Sequence, residues 1–239
     1  MKKIKYLALL LSLVCLCLVG CGDSKGSKFY KDSELKEVAS VNGSIEIEVK
    51  AGVTPELVTI DFELYYDKAP IAVTNFVSLA KSNHYNGLIV HYVGDVAMLL
   101  GGYYLGDNDN GEEDALRKDL GYDIAGEIEA NGWKKNDIDA SAVGTMFMYY
   151  NETSKDTANN IFGFVLSENY ADEGTPFGKV KPSSYTKLSY LSQGKGTNEN
   201  IETDNGYIPA ITMQIKSVTV TVLDANGIAV ELPAPKKVK

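Results

Sequence analysis

Cysteine is almost absent from this chain of 239 residues, and arginine is rarer still. The three cysteines, Cys15, Cys17 and Cys21, all lie within the first 21 residues. The rest of the chain can therefore form no disulfide, no thiol nucleophile and no cysteine-based metal site. Arg117 is the single arginine, because lysine supplies 22 of the 23 basic residues. With 44% hydrophobic residues, the chain is long enough to be stabilised by one good-sized apolar core.

The first 20 residues have the three parts of a secretory signal. Three lysines precede an apolar run over residues 7–19, which is too short to span a bilayer comfortably. The run ends in LVGC, which resembles the lipobox of bacterial lipoproteins, where the cysteine is diacylated and becomes the first mature residue. We therefore predict a signal peptide over 1–20, lipidation at Cys21, and an extracytoplasmic protein that this lipid anchors to the cell membrane. The alternative is an uncleaved signal with a chance cysteine.

The charge balance excludes nucleic acid as a partner. Removing the signal leaves 20 basic and 32 acidic residues, a net charge of −12, which nucleic acid and anionic lipid headgroups both repel. The acidic segment GDNDNGEED superficially resembles a calcium-binding loop. However, aligning Gly111 with the loop glycine puts Leu105 and Gly106 at the start and Leu116 at the end, where carboxylates are needed. We therefore predict a solvated loop over 107–119, with no metal site and no cofactor.

Composition divides the chain into four parts. Residues 21–41 are small, polar and mixed in charge, which predicts a flexible tether, although Phe29, Tyr30 and Leu35 leave an ordered arm as the alternative. A folded domain is expected over 42–232, followed by a frayed tail over 233–239.

Hydrophobic periodicity predicts strands separated by only two short helices. Ile45, Ile47 and Val49 alternate with acidic residues, and the run LVTIDFELY alternates in the same way. A helix is expected from Pro70, and a second one, capped by Ser183 or Ser184 and ended by Gly194, in SSYTKLSYLSQG. The run ITMQIKSVTVTV changes phase, which predicts a bulge near Lys216. Without a βαβ rhythm, these elements favour a mainly antiparallel sheet that closes or packs on itself.

Five ordered blocks resemble the cyclophilin family of peptidyl-prolyl isomerases. They are FELYYDKAPIAVTNFVSLA, YNGLIVHYVGDVAMLLGG, GTMFMYY, the segment around IFGF, and SENYADEGTPFGKV, which ends in the family's FGKV. The similarity extends from about Val58 to Val180. It implies a closed eight-stranded antiparallel β-barrel capped by two helices, and an activity that accelerates rotation about X–Pro bonds, whose uncatalysed barrier is about 18–20 kcal/mol.

The resemblance fails at the positions that carry this activity. In the family, the arginine of an FHR motif hydrogen-bonds the prolyl nitrogen, a charge-assisted bond worth roughly 1.5–3 kcal/mol, and the matching residue here is Tyr92. A neutral phenol can still donate, but such a bond contributes only roughly 0.5–1.5 kcal/mol. His91 matches the family, and we interpret it as a core histidine. The family's tryptophan-leucine-histidine wall falls on Asn169, Tyr170 and Gly174. The peptide-binding groove implied by the resemblance is lined by Tyr92, Ala97, Met98, Leu100, Tyr149, Tyr150, Ile161, Gly163, Asn169 and Tyr170, of which only Met98 matches.

Arg117 is the one candidate for a compensating arginine, but a solvated ion pair with Asp114 and Asp119 is the simpler expectation.

Two functions follow from the resemblance. The first is a monomeric, surface-anchored isomerase-family protein that assists folding of or binds exported proteins or proline-containing peptides, with catalysis weak or lost. The second is a non-catalytic binding module whose groove is lined by tyrosines, since tyrosine offers apolar area with a polar tip. Those tyrosines can equally fill space left by the lost phenylalanines. A transporter's solute-binding lipoprotein is a third class, which the single-barrel size disfavours.

Overall fold

The computed structural model describes residues 27–107, 113–170, 173–194, 202–203, 206–207, 209 and 211–238. The predicted signal peptide, Cys21 and the centre of the acidic loop lie outside these residues. Within the described part of the chain, no helix is long and apolar enough to cross a membrane.

Eight antiparallel strands close into a barrel. Seven successive pairings join them, and an eighth pairing, between β3 and β4, closes the ring. The predicted barrel is therefore confirmed. In ring order, the strands are β3 (Leu88–Val93), β11 (Thr212–Leu223), β1 (Ser40–Lys50), β2 (Glu56–Leu64), β8 (Gly174–Val180), β6 (Thr145–Tyr149), β7 (Phe162–Val165) and β4 (Ala97–Asp107).

Three further strands lie outside the ring. β5 (Glu113–Arg117) pairs with the far end of β4, whereas β9 (Glu202–Thr203) and β10 (Gly206–Tyr207) pair with each other. The prediction of a loop throughout 107–119 was therefore wrong in part, because β4 continues past the barrel wall to Asp107 and offers β5 a free edge.

Two irregularities in strand pairing bear on the site, and the first of them was predicted. Between β1 and β11 the register shifts after Glu46, so that Lys216 is the extra residue of the predicted bulge. Between β3 and β4, Val90 pairs with Leu100 and Tyr92 with Leu99, which makes His91 an extra residue on β3. β-Bulges turn side chains that would otherwise alternate, and this one lies beside the predicted groove.

Two helices complete the domain, α1 (Pro70–Lys81) and α2 (Tyr185–Ser192). From α1, Phe76 enters the main core, where its ring centroid lies 5.0–5.7 Å from those of Phe62, Tyr85, Phe162 and Phe177. This aromatic cluster joins α1 to three strands of the barrel, since only Tyr85 lies outside a strand. From α2, Leu188 and Leu191 are buried, as their spacing predicted.

The N-terminus of α1 is capped by a residue distant in sequence. Ala69 at the N-cap offers no side-chain acceptor, and the fully buried carboxylate of Glu127 accepts from the backbone N–H groups of Ile71 at 2.8 Å and Ala72 at 2.9 Å. Burial raises the pKa of Glu127 to about 8, against the opposing effect of those N–H donors. Glu127 thus joins the loop before β6 to the first turn of α1.

From Ser27 onward, the segment predicted to be a tether packs against the domain. The ring of Phe29 lies 5.3 Å from that of Trp133, and Tyr30 Oη donates to Ala234 O at 2.6 Å. The described part of this segment therefore corresponds to the ordered arm that was the alternative. The C-terminal tail is also held, since Val238 N donates to Asp123 O at 2.9 Å.

Candidate functional site

A second apolar cluster lies on the outside of the barrel wall. On β4, Met98 and Leu100 belong to the main core, whereas Ala97 and Leu99 belong to this separate cluster. Because successive residues of a strand face opposite sides, the second cluster lies on the outer surface of β3, β4, β7 and β6. We call it the outer cluster, and its buried members are Ile89, Ala97, Leu99, Tyr103, Phe147, Ile161, Val165 and Tyr170.

Phe147 occupies the centre of the outer cluster between two glycines of neighbouring strands. A β-carbon placed on Gly163 of β7 would lie 2.4 Å from Phe147 Cζ, and one on Gly174 of β8 would lie 2.5 Å from Phe147 Cδ2. These distances are shorter than any real contact, so the ring lies directly over both glycines. Tyr170 covers the arrangement with its ring centroid 4.7 Å from that of Phe147. Phe147 is 2% exposed, which leaves no open pocket at this point.

Tyr92 lies at the edge of the outer cluster and is only half-buried. Its ring covers the turn that follows β3, because a β-carbon on Gly94 would lie 2.3 Å from Tyr92 Oη. Tyr149 lies at the same cluster's rim, and burial, followed by Glu173, raises the pKa of its phenol. The phenol of Tyr149 is therefore a neutral donor at physiological pH, since an ordinary tyrosine pKa is already about 10.

His91 and Arg117 both contact Tyr103. The ring of His91 lies 4.5 Å from that of Tyr103, and the Arg117 guanidinium carbon lies 5.4 Å from the same ring. His91 is 3% exposed, as expected of a core histidine, but its Nδ1 has no hydrogen-bond partner among the described residues. Burial, followed by the charge of Arg117, lowers the pKa of His91 to about 3. The imidazole is therefore neutral at neutral pH and cannot act as a general acid.

The expected ion pair of Arg117 with Asp114 and Asp119 does not form among the residues the structure describes. The Arg117 guanidinium instead donates from Nη1 to Gly102 O at 3.2 Å and from Nη2 to Asn159 Oδ1 at 2.9 Å. β5 pairs with the end of β4, with Arg117 opposite Tyr103, so the guanidinium lies against the barrel wall although the residue remains exposed.

The structure brings six of the ten predicted groove residues together and separates the other four. Met98, Leu100 and Tyr150 belong to the main core, and Asn169 is exposed on the loop after β7. Met98 and Leu100 alternate with the outward residues of β4, so neither can line an outer groove. Those that meet at the outer cluster are Tyr92, Ala97, Tyr149, Ile161, Gly163 and Tyr170.

Comparison with known proteins identifies the barrel. The family model described as cyclophilin type peptidyl-prolyl cis-trans isomerase/CLD matches residues 42–220. The chain belongs to the cyclophilin family. A peptidyl-prolyl cis-trans isomerase of Helicobacter pylori is 30% identical over 138 residues, which cover 56% of this chain and 75% of that protein. One of Acinetobacter baylyi is 42% identical over 74 residues, 28% of this chain, and the match spans only 39% of that relative's length.

Among solved structures, a cyclophilin type peptidyl-prolyl cis-trans isomerase of Cryptosporidium parvum aligns over 75% of this chain and 97% of its own, with 17% identity and a TM-score of 0.49.

Compared with the cyclophilin motifs, three positions in and beside the outer cluster exchange large side chains for small ones and a small side chain for a large one. Gly163 and Gly174 stand at positions where the cyclophilin motifs have a large side chain. Phe147 stands at the position of the small serine that precedes the methionine of the SMA motif. The single phenylalanine fills the space over both glycines, so the three substitutions preserve close packing at this point of the outer surface. Chemically, the arrangement offers phenol and guanidinium donors at a rim but no cationic donor on β3.

Sequence reasoning missed Phe147, Leu99 and Tyr103 as members of this site. Alternation in GTMFMYY was a usable signal, because inward Met146 and Met148 require Phe147 to face outward beside Tyr149. No local pattern could show that Phe147 lies over glycines of two other strands, since that depends on strand order.

Proposed function

We propose that this cyclophilin-family protein binds extended segments of exported proteins and accelerates prolyl isomerisation weakly or not at all. The observation that carries the proposal is the position of Phe147, whose ring fills the space over Gly163 and Gly174. A proline ring needs an apolar recess, and here that recess is occupied by the protein's own side chain.

The loss of the cationic donor acts in the same direction. Replacing a charge-assisted hydrogen bond by a neutral one forfeits about 1–2 kcal/mol of transition-state stabilisation, or about 5- to 30-fold in rate. Tyr92 is also drawn down over Gly94, which turns its hydroxyl toward the strand end and away from the centre of the cluster.

An isomerisation assay tests the proposal. The mature chain carrying Cys21→Ser, and therefore free of lipid, is added to a proline-containing peptide whose cis-to-trans relaxation is followed optically. We expect little acceleration, and Tyr92→Phe should change nothing further. Acceleration comparable to that of an ordinary cyclophilin would refute weak catalysis.

The second candidate, a purely non-catalytic module, is favoured by the two half-buried tyrosines at the rim. Tyr92 and Tyr149 each present a ring edge and a phenol beside buried apolar residues, an arrangement suited to peptide recognition. Measurable binding of a peptide to the mature chain, lowered in Tyr149→Ala and accompanied by no isomerisation, would identify such a module and exclude the weak catalysis that the first candidate allows.

Attachment to the cell surface belongs to the same proposal. Only five residues separate Cys21 from Ser27, where the ordered arm begins, so a lipid on Cys21 would hold the domain within about 20 Å of the bilayer. Incorporation of labelled fatty acid into the wild-type chain but not into Cys21→Ser is the expected result. Equal labelling of both would overturn the anchor.

A further inference from the structure

Arg117 is an exposed cation whose described acceptors are both neutral. A guanidinium carries five N–H donors, and the bonds to Gly102 O and Asn159 Oδ1 use two of them. No carboxylate among the described side chains forms an ion pair with it within 4 Å. The guanidinium therefore keeps three N–H donors beyond these two bonds, while Asp119 and Asp123 act on it without forming an ion pair and oppose the lowering of its pKa by burial.

The guanidinium is held in place and lies beside the outer cluster. Two hydrogen bonds and the ring of Tyr103 fix the plane of the guanidinium, so ligand binding loses little side-chain conformational entropy at this residue. A β-carbon on Gly102 would lie 2.3 Å from Arg117 Nη1 and 2.4 Å from Ile161 Cγ1, which places the guanidinium directly next to Ile161. The glycine at 102 is what allows this approach.

Ile161 connects Arg117 to the rim tyrosine. Ile161 O accepts from the backbone N–H of Tyr149 at 3.0 Å, and Tyr149 is close enough to Tyr103 for that neighbour to contribute to the raised pKa of its phenol. A fixed guanidinium, an apolar side chain and a neutral phenol thus follow one another along the outer surface of β7 and β6.

We propose that Arg117 and Tyr149, which lie on either side of Ile161, form a subsite for a carboxylate group of a bound peptide. This proposal rests on the peptide-binding function above. The remaining guanidinium donors match the two oxygens of a carboxylate, and the phenol supplies a further donor. The carboxylate comes either from an acidic side chain or from a chain terminus, which share this chemistry.

Three peptides and three proteins test the subsite. The peptides are an amidated proline-containing pentapeptide with one glutamate, the same peptide with glutamine, and the glutamine peptide with a free C-terminal carboxylate. The proteins are the mature Cys21→Ser chain, the same chain with Arg117→Gln, and a matched control with Lys187→Gln, which removes an equal charge from α2. Binding is measured by calorimetry, with circular dichroism confirming the fold of each protein.

We expect a peptide carrying a carboxylate to bind about 3- to 10-fold more tightly than the amidated glutamine peptide. Arg117→Gln should abolish that preference and Lys187→Gln should keep it. Whichever of the glutamate and free-terminus peptides binds more tightly identifies the source of the group. Equal binding of all three peptides to the parent protein would overturn the subsite while leaving the proposed function intact. Binding of none would overturn both.

Discussion

Phe147 and the glycines beneath it should be energetically coupled, and this coupling can be measured. Phe147 is 2% exposed, so Phe147→Ala should lower the free energy of unfolding by about 3–5 kcal/mol. Gly163→Ala alone should cost about 1–3 kcal/mol, because its β-carbon would lie 2.4 Å from Phe147 Cζ and 2.7 Å from Met98 O. Removing the ring relieves the first contact but not the second.

In the Phe147→Ala background, Gly163→Ala should therefore cost about 1 kcal/mol less than in the wild type. Urea denaturation of the four proteins gives the coupling energy directly. Gly178→Ala is the control, since its β-carbon would meet Leu64 Cδ2 at 2.5 Å and Glu63 O at 2.6 Å instead. Its cost should be the same in both backgrounds. If the Gly163→Ala cost is equally unchanged, within about 0.5 kcal/mol, the ring does not fill that space and the closed-pocket reasoning fails. Phe147→Leu serves where the alanine variant is too unstable.

Three further predictions concern other parts of the molecule. Tyr92→Arg should raise the isomerisation rate by less than about 10-fold, because a charged donor does not reopen the proline pocket. A rate equal to that of an ordinary cyclophilin in the peptide assay would show that the pocket can still bind proline. His91 has a pKa lowered to about 3 in the folded state and about 6.5 unfolded, so only the unfolded chain takes up its proton as the pH falls from 7 to 5. Over that interval, the free energy of unfolding of the wild type should fall by about 2 kcal/mol relative to that of His91→Phe, as measured by denaturation at each pH. Parallel pH profiles of the two proteins would contradict the lowered pKa of His91. Tyr30→Phe removes the hydrogen bond to Ala234 O and should lower the unfolding free energy by about 1 kcal/mol, whereas no change would mean that this hydrogen bond contributes nothing to stability.

Local patterns were sufficient to predict most of the barrel. The alternation of Ile45, Ile47 and Val49, the proline at the start of α1 and the phase change at Lys216 each reappear in the structure, because they depend on neighbours within one strand or helix. The arm was the main departure in the described residues. Its polar composition favoured a tether, but Phe29 and Tyr30 find partners more than a hundred residues away.

The groove shows the limit of such reasoning. Motif positions predicted which of the family's pocket residues are replaced, and they grouped Met98 and Leu100 with Ala97, although the pleat of β4 sends them to opposite sides of the wall. Arg117 was assigned by sequence proximity to acidic neighbours, whereas strand pairing carries it to Gly102 and Asn159.

By itself, the sequence determined the family, the barrel with its two helices, and the presence of a tyrosine after His91 on β3. Those features are set by residue identity and short-range periodicity. Only the tertiary structure decided that Phe147 covers Gly163 and Gly174 and that the single arginine lies beside Ile161. Both depend on which strands become neighbours, and therefore on contacts between residues that the linear order keeps apart.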